Sequence, residues 1–216
     1  ESTRPGAPPV SLDEELARVV PVVQGAVKLG VPVSVDTYKP EVMRAALDAG
    51  ADIINDVWAL RRGDGAAVVA AHPRCGVCLM HMHLEPQTMQ VAPMDGDVVA
   101  QVRAFLRERA NTLQTAGVAR SRIALDVGIG FGKTVKQNFA LLAAQAELLN
   151  EAMPWLVGWS RKSSLGAVTG RAVPAERVAA SVAAALLAVE RGGHIVRVHD
   201  VRVTVDALKV WAAVRG

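Results

Sequence analysis

The chain is short of large rings. Its 216 residues include only 3 Phe and 1 Tyr, beside 4 Trp. A core of that composition has to be built from Ala, Val, Leu and Ile, which suits buried parallel strands under Ala-rich helices. Cysteine is scarcer still. Cys75 and Cys78 read C-x-x-C in "RCGVCLM". The pair runs into an apolar stretch rather than opening a helix, and no second pair exists to complete a zinc site. Both are therefore expected as small, buried strand residues. Blocks of basic charge are also missing: the net charge is +3 and the basic residues are scattered. This argues against nucleic acid and leaves room for a small anionic substrate. Neither a run of eighteen apolar residues nor a secretory leader stands in the sequence, so the expectation is a soluble, cytoplasmic protein. With 51% hydrophobic and 21% charged residues, disorder is excluded.

What is present is a repeat of short apolar runs. "VPVSVDT" (31–37), "ADIINDV" (51–57), "GVCLMHM" (76–82), "RIALDVG" (122–128), "WLVGWSR" (155–161) and "HIVRVHD" (194–200) are all rich in Val, Ile and Leu, as strands buried on both faces are. Helical patterns lie between them at 39–50, 97–117, 137–150 and 174–193, with another at 10–30 that opens on Ser11 and Glu14 as a capping box. Alternation of strand and helix predicts a parallel sheet with covering helices.

Two architectures fit, an open doubly wound sheet or a (β/α)8 TIM barrel. The strand ends choose between them. Each run finishes in polar or ionisable residues: Asp36-Thr37, Asn55-Asp56, His81, Asp126, Ser160-Arg161-Lys162 and Arg197 to Asp200. An open sheet would gather such residues near one switch point, whereas a barrel draws its active site from every strand end. Six units do not close an eight-stranded barrel, so about two strands are expected ahead of residue 1. No linker rich in Pro, Gly or Ser divides the chain. Residues 1–216 are read as one barrel domain, incomplete at its N-terminus.

The strand ends also carry the candidate chemistry. Asp36 and Asp126, with Asn55 between them, offer acceptors and an amide suited to the N–H edge of a flat nitrogen heterocycle. Ser160 and Lys162 share one side of their segment, and Arg197 and His199 share another. Arg plus His at a barrel mouth makes an anion site, although Arg197 has a rival partner in Asp200 or Asp206. The stretch "LDVGIGFGKT" (125–134) suggests a phosphate cradle. It fails the P-loop pattern because Val127 stands where the first Gly belongs, and it fails the dinucleotide fingerprint because Lys133 stands where the third Gly belongs. Its glycines are expected to turn the backbone tightly against a ligand, with Phe131 presented between Gly130 and Gly132. Lys133 is expected as a solvent-exposed lysine at a helix start.

Taken together, "ESTRPGA", "VSVDTYKPEV", "AGADIINDV", "LMHMHLEPQTMQ", "LDVGIGFGKT", "VGWSRKS" and "IVRVHDV" resemble the dihydropteroate synthases, the sulfonamide-targeted enzymes of folate biosynthesis. The resemblance covers nearly the whole chain, in order. It implies a (β/α)8 barrel and condensation of 6-hydroxymethyl-7,8-dihydropterin pyrophosphate with p-aminobenzoate, giving 7,8-dihydropteroate and pyrophosphate. It implies Asp36, Asn55, Asp126 and Lys162 reading the pterin edge, the first, third and fourth of them catalytic, with Val57, Met80, Phe131 and Gly158 lining the pocket. It implies Thr3, Arg4, Arg197 and His199 on the pyrophosphate, and Pro5, Phe131, Ser160 and Lys162 around p-aminobenzoate. Mg²⁺ would assist the leaving group, its Asn ligand lying ahead of residue 1, and the enzyme would be a homodimer. Val127 departs from the Pro usual in the family. Two rival readings are a methyltetrahydrofolate-dependent corrinoid methyltransferase of the same fold, and a non-catalytic pterin-binding paralogue or fragment.

Overall fold

Every one of the predicted strands forms, and all pair in parallel. The computed structural model describes residues 2, 7–85, 89, 91–148 and 153–216. Its strands are β1 (Ser34–Asp36), β2 (Ile53–Asp56), β3 (Gly76–Met80), β4 (Ile123–Asp126), β5 (Leu156–Val157) and β6 (Ile195–Val196). β1 to β4 lie side by side in chain order, and β5 pairs with β6. An isolated bridge from Leu125 to Trp155, with Leu125 N–H donating to Pro154 O at 2.9 Å, joins the two sets. The order therefore runs from β1 to β6 with no reversal. A doubly wound sheet reverses at its switch point; an unbroken parallel order belongs to the (β/α)8 barrel.

The α-helices among the described residues are α1 (Leu12–Ala26), α2 (Pro40–Asp48), α3 (Gly65–Ala71), α4 (Val98–Thr115), α5 (Val135–Ala143), α6 (Gln145–Leu148), α7 (Ser163–Thr169), α8 (Val178–Glu190) and α9 (Val201–Arg215), those from α2 to α8 lying between strands. Local signals account for several boundaries. Pro40 sits in the first turn of α2, and the Asp97 carboxylate accepts the N–H groups of Val99 and Ala100 at the start of α4. Ser11 Oγ accepts Glu14 N–H, but the Glu14 side chain turns to Arg18 instead of closing the capping box. A full box forms at Thr134 and Gln137, where α5 begins.

Some predicted spans change. The helical segment expected at 137–150 breaks at Ala144 into α5 and α6, and the one at 174–193 begins as a 3-10 turn over Pro174–Arg177. The last two apolar runs contribute only two-residue strands, and β6 has β5 as its single partner among the described residues. α3, α7 and α9 carry weak sequence signals. α7 contains Gly166, and α9 opens "VRVTV", an alternation that mimics a strand.

The core lies between sheet and helices. Ile54, Val77, Leu79, Ile123 and Leu125 of the strands share one buried cluster with Met43 of α2, Leu106 and Leu113 of α4, and Leu141 of α5. Cys75 and Cys78 are free and buried, as expected. A second, smaller cluster sits at the strand ends, where Val57, Trp58, Met80, Met82 and Met89 pack with Tyr38 and Phe131. No single helix among the described residues is long and apolar enough to cross a membrane.

Candidate active site

The polar strand ends sort into two groups. One group is used up inside the fold. Asp56 is wholly buried, and its carboxylate accepts Trp58 N–H and Leu60 N–H at 2.8 Å each, closing the turn after β2. Burial raises its pKa to about 6, against those two hydrogen bonds. Thr37 donates to Glu15 at 2.8 Å, and Lys39 pairs with the same carboxylate at 2.6 Å, tying α1 to the loop after β1. Arg161 makes a two-pronged pair with Asp200, at 3.0 and 2.6 Å. That pair settles the rivalry over Asp200: its partner is Arg161, not Arg197.

The other group faces the mouth. Parallel register puts Asp36 beside Asn55 and Met80 beside Asp126. Asn55 Nδ2 makes a long contact of 3.4 Å to Asp36 Oδ2. Its Oδ1 is buried and has no hydrogen-bond partner among the described residues, an arrangement that calls for a donor from a bound group. Asp126 is buried, and its Oδ1 accepts Gly128 N–H at 2.7 Å. Burial raises its pKa, with that bond and the charges of Lys162 and Lys133 pulling it down. Asp36 is open to solvent at the mouth yet crowded by protein. Desolvation raises its pKa as well, opposed first by Arg197. Lys162, half-buried, feels both carboxylates; burial brings its pKa down to about 8. Its ammonium lies 4.4 Å from the centre of the Phe131 ring.

Val57, Met80 and Phe131 meet in the smaller apolar cluster. Gly158 lies at the end of β5, and a Cβ there would touch nothing within 4 Å. Ser160 Oγ is buried and stands 3.0 Å from His199 Nδ1, and it also accepts His199 N–H at 3.1 Å. Arg197 and His199 are exposed and 3.3 Å apart. Ser160 thus faces the Arg197–His199 end of the mouth. Thr3, Arg4 and Pro5 lie outside the described residues.

The glycine loop departs from expectation. Gly128, Gly130 and Gly132 all take positive φ, 68°, 81° and 71°. A Cβ on Gly128 would stand 1.9 Å from His81 O, and one on Gly132 2.7 Å from His83 O. Gly128 and Gly132 press against the loop after β3, while Gly130 looks toward a site residue, Lys162. Lys133 is not a solvent-exposed lysine. It is 3% exposed, and its ammonium donates to His81 O, Gly128 O and Phe131 O at 3.2, 2.9 and 3.2 Å. Burial lowers its pKa to about 7, with Asp126 raising it.

A family model described as "Pterin binding enzyme" matches residues 1–199. The dihydropteroate synthase of Neisseria meningitidis serogroup B is 50% identical over 217 residues, spanning 99% of this chain and 76% of that protein. The chain belongs to the dihydropteroate synthase family. The Burkholderia cenocepacia dihydropteroate synthase, solved with 7,8-dihydropteroate, superposes with a TM-score of 0.93 at 61% identity, covering 100% of this chain and 79% of that one. The Xanthomonas albilineans dihydropteroate synthase, solved with 4-aminobenzoic acid, gives 0.94 at 51% identity, with 100% and 77% covered.

Three described residues, Asn138, Ser164 and Arg177, tie the loops around the site together and carry little or no sign of it in the sequence. Asn138 sits in the first turns of α5; its Oδ1 accepts Gly130 N–H and its Nδ2 donates to Ser164 Oγ, both at 2.9 Å. Arg177, buried, donates to the carbonyls of Arg161, Arg171 and Ala172. An Asn in the first turn of a helix, where it can turn back to bond nearby backbone, was the one available signal for the first. Ser164 and Arg177 carried none, since both look like ordinary helix-end residues.

Proposed function

We propose that this chain condenses 6-hydroxymethyl-7,8-dihydropterin pyrophosphate with p-aminobenzoate to give 7,8-dihydropteroate. The observation that carries the reading is the convergence of unlike groups from different strands. Asp36, Asp126 and Lys162 act on one another electrostatically, and Arg197 acts on Asp36 and Lys162. Beside them Asn55 holds a buried acceptor with no partner among the described residues. Two carboxylates made costly by burial, together with that amide, suit the adjacent N–H groups of a pterin edge. Val57, Met80 and Phe131, with the open face of Gly158, suit its flat ring.

The reaction then breaks a C–O bond. Pyrophosphate leaves, the pterin methylene becomes electron-poor, and the arylamine nitrogen attacks that carbon and gives up a proton. Asp126 and Asp36 stabilise positive charge on the ring, while Arg197 and His199 receive the leaving oxygens. Lys162 and Phe131 hold ring and arylamine in register. Thr3 and Arg4, and Pro5 at the arylamine, keep the roles their family positions give them. No protein nucleophile is needed.

Among the described residues no group of three or more His, Cys, Asp or Glu side chains converges on a metal position, and the leaving-group end is cationic. Mg²⁺ stays part of the proposal through an Asn ligand of a kind not among those side chains; when bound it would add positive charge beside the leaving oxygens, and no step is routed through it. The later helices leave Val168, Leu187, Val203, Val210 and Val214 exposed, apolar surface that a homodimer would cover; sedimentation velocity would detect it, and a monomer at micromolar concentration would remove the idea. A cytoplasmic location goes with the reaction. The decisive test is an assay for dihydropteroate from the two substrates using full-length protein. Pterin binding without turnover would favour the non-catalytic reading, and methyl transfer from methyltetrahydrofolate to a corrinoid would favour the other.

A further inference from the structure

We propose that Lys133, acting with Asn138, is a positioning residue: a buried clamp that fixes Phe131 and Lys162 for the condensation. The proposal rests on the function assigned above. An ammonium has three hydrogens, and Lys133 directs its ammonium at three main-chain oxygens from two loops: His81 O after β3, Gly128 O and Phe131 O after β4. The two loops are pressed together so closely that Gly128 leaves no room for a Cβ beside His81 O. Asn138 extends the clamp. It takes Gly130 N–H and reaches Ser164 Oγ in α7, the helix whose N-cap position is Lys162. Phe131 and Lys162, whose cation–π contact spans 4.4 Å, are thus held from the back by buried polar groups at either end.

The clamp is not simply part of the core. Burying an ammonium carries a desolvation cost that a well-packed apolar side chain would avoid, and the groups it orders face the mouth. The main apolar cluster contains neither Phe131 nor Lys162. Polar groups that break the local rule in this way are expected where geometry matters to function. Asp126 belongs to the same unit, because its Oδ1 accepts the Gly128 N–H at the base of the loop.

The test compares Lys133→Met with wild type in full-length protein. The expected result is a fall in kcat/KM on the order of 100-fold, the loss typical of a small misplacement, with unchanged far-UV circular dichroism. In a double variant with Phe131→Leu, the further loss beyond Phe131→Leu alone should be clearly smaller than the loss Lys133→Met causes in wild type, because part of its effect runs through Phe131. Losses that multiply, or normal turnover by folded Lys133→Met, would overturn the proposal. Should Lys133→Met not fold, Asn138→Asp keeps the shape, removes the donor to Ser164, and is read the same way. Hydrogen exchange of the amides at 128–132 gives a readout independent of turnover. Faster exchange there, with β1 and β2 unchanged, supports the clamp; equal protection contradicts it. If wild-type protein makes no dihydropteroate, the reaction assignment fails, and the exchange result alone decides the clamp.

Discussion

Lys133 is 3% exposed and gives its ammonium to protein carbonyls, whereas Arg197 is exposed and lies beside His199 at 3.3 Å. Both bring positive charge to the neighbourhood of Asp126 and Asp36. The glycine-rich loop around Lys133 has the look of an anion site in sequence, while the last strand has no recognised phosphate motif. The broken motif spacing already moves the anion to Arg197 and His199, and the structure adds what Lys133 does instead. A cation whose donors are taken by main-chain oxygens is a brace; a guanidinium and an imidazole held side by side at an open mouth have capacity for an anion. What distinguishes them is donor accounting and exposure, not residue type.

The comparison can be broken at several points. Asp126 stands between the two regions, touched by the loop through Gly128 and by the charge of Lys162. Asp126→Asn keeps the acceptor for Gly128 but removes the charge; kcat should fall roughly 100- to 1000-fold, measured as dihydropteroate formed per minute by folded protein. Normal turnover would remove the carboxylate from the chemistry.

Glycines give the next contrast. Gly128→Ala meets a carbonyl oxygen 1.9 Å away at a positive φ, and should cost about 3 kcal/mol or more in urea unfolding. Gly158→Ala meets nothing within 4 Å; its unfolding midpoint should hold while pterin affinity in calorimetry drops. Equal stabilities for the two variants would show that the loop is not jammed against the loop after β3.

Arg197→Ala should raise the dissociation constant for pyrophosphate by roughly 10- to 100-fold, the loss expected for one or two charge-assisted hydrogen bonds, with no change in unfolding midpoint. Unchanged affinity would move the anion elsewhere.

The smallest expected effect is one of pH, in the braced region. His81 is buried, and its pKa falls to about 3 from 6.5, chiefly through desolvation. The unfolded chain therefore binds more protons between those values, so His81 takes stability away as pH drops below 6.5. Asp56, raised to about 6 from 3.8, works oppositely and adds stability as pH falls through its window. His81→Phe should gain about 2 kcal/mol relative to wild type on going from pH 7 to pH 5, read from urea midpoints at both values. A constant difference would show that His81 is not buried neutral.

Much of this was legible in advance, for particular reasons. The strands could be read because continuous Val/Ile/Leu runs have little else to be, and the barrel because polar residues end every one of them. Asp36, Asn55, Asp126, Lys162, Arg197 and His199 were visible as strand-end residues, since position along a strand is a one-dimensional fact. Three other polar strand ends, Thr37, Asp56 and Arg161, stand in equivalent positions, Arg161 on the side opposite Ser160 and Lys162, and proved to be internal ties. Only their partners, Glu15, the turn amides and Asp200, separate them from the site.

By itself, then, the sequence determined the alternation of elements, their parallel order, the residue types at the mouth and the family. These depend on local periodicity and on short motifs, which need no knowledge of neighbours. The tertiary structure decided the direction of each donor and acceptor. Lys133 binds a carbonyl 52 residues away in the chain, and Gly128 is a glycine because of where His81 O lies. Contacts of that kind exist only once the loops after β3 and β4 have been brought together, and no pattern within either loop encodes the approach of the other.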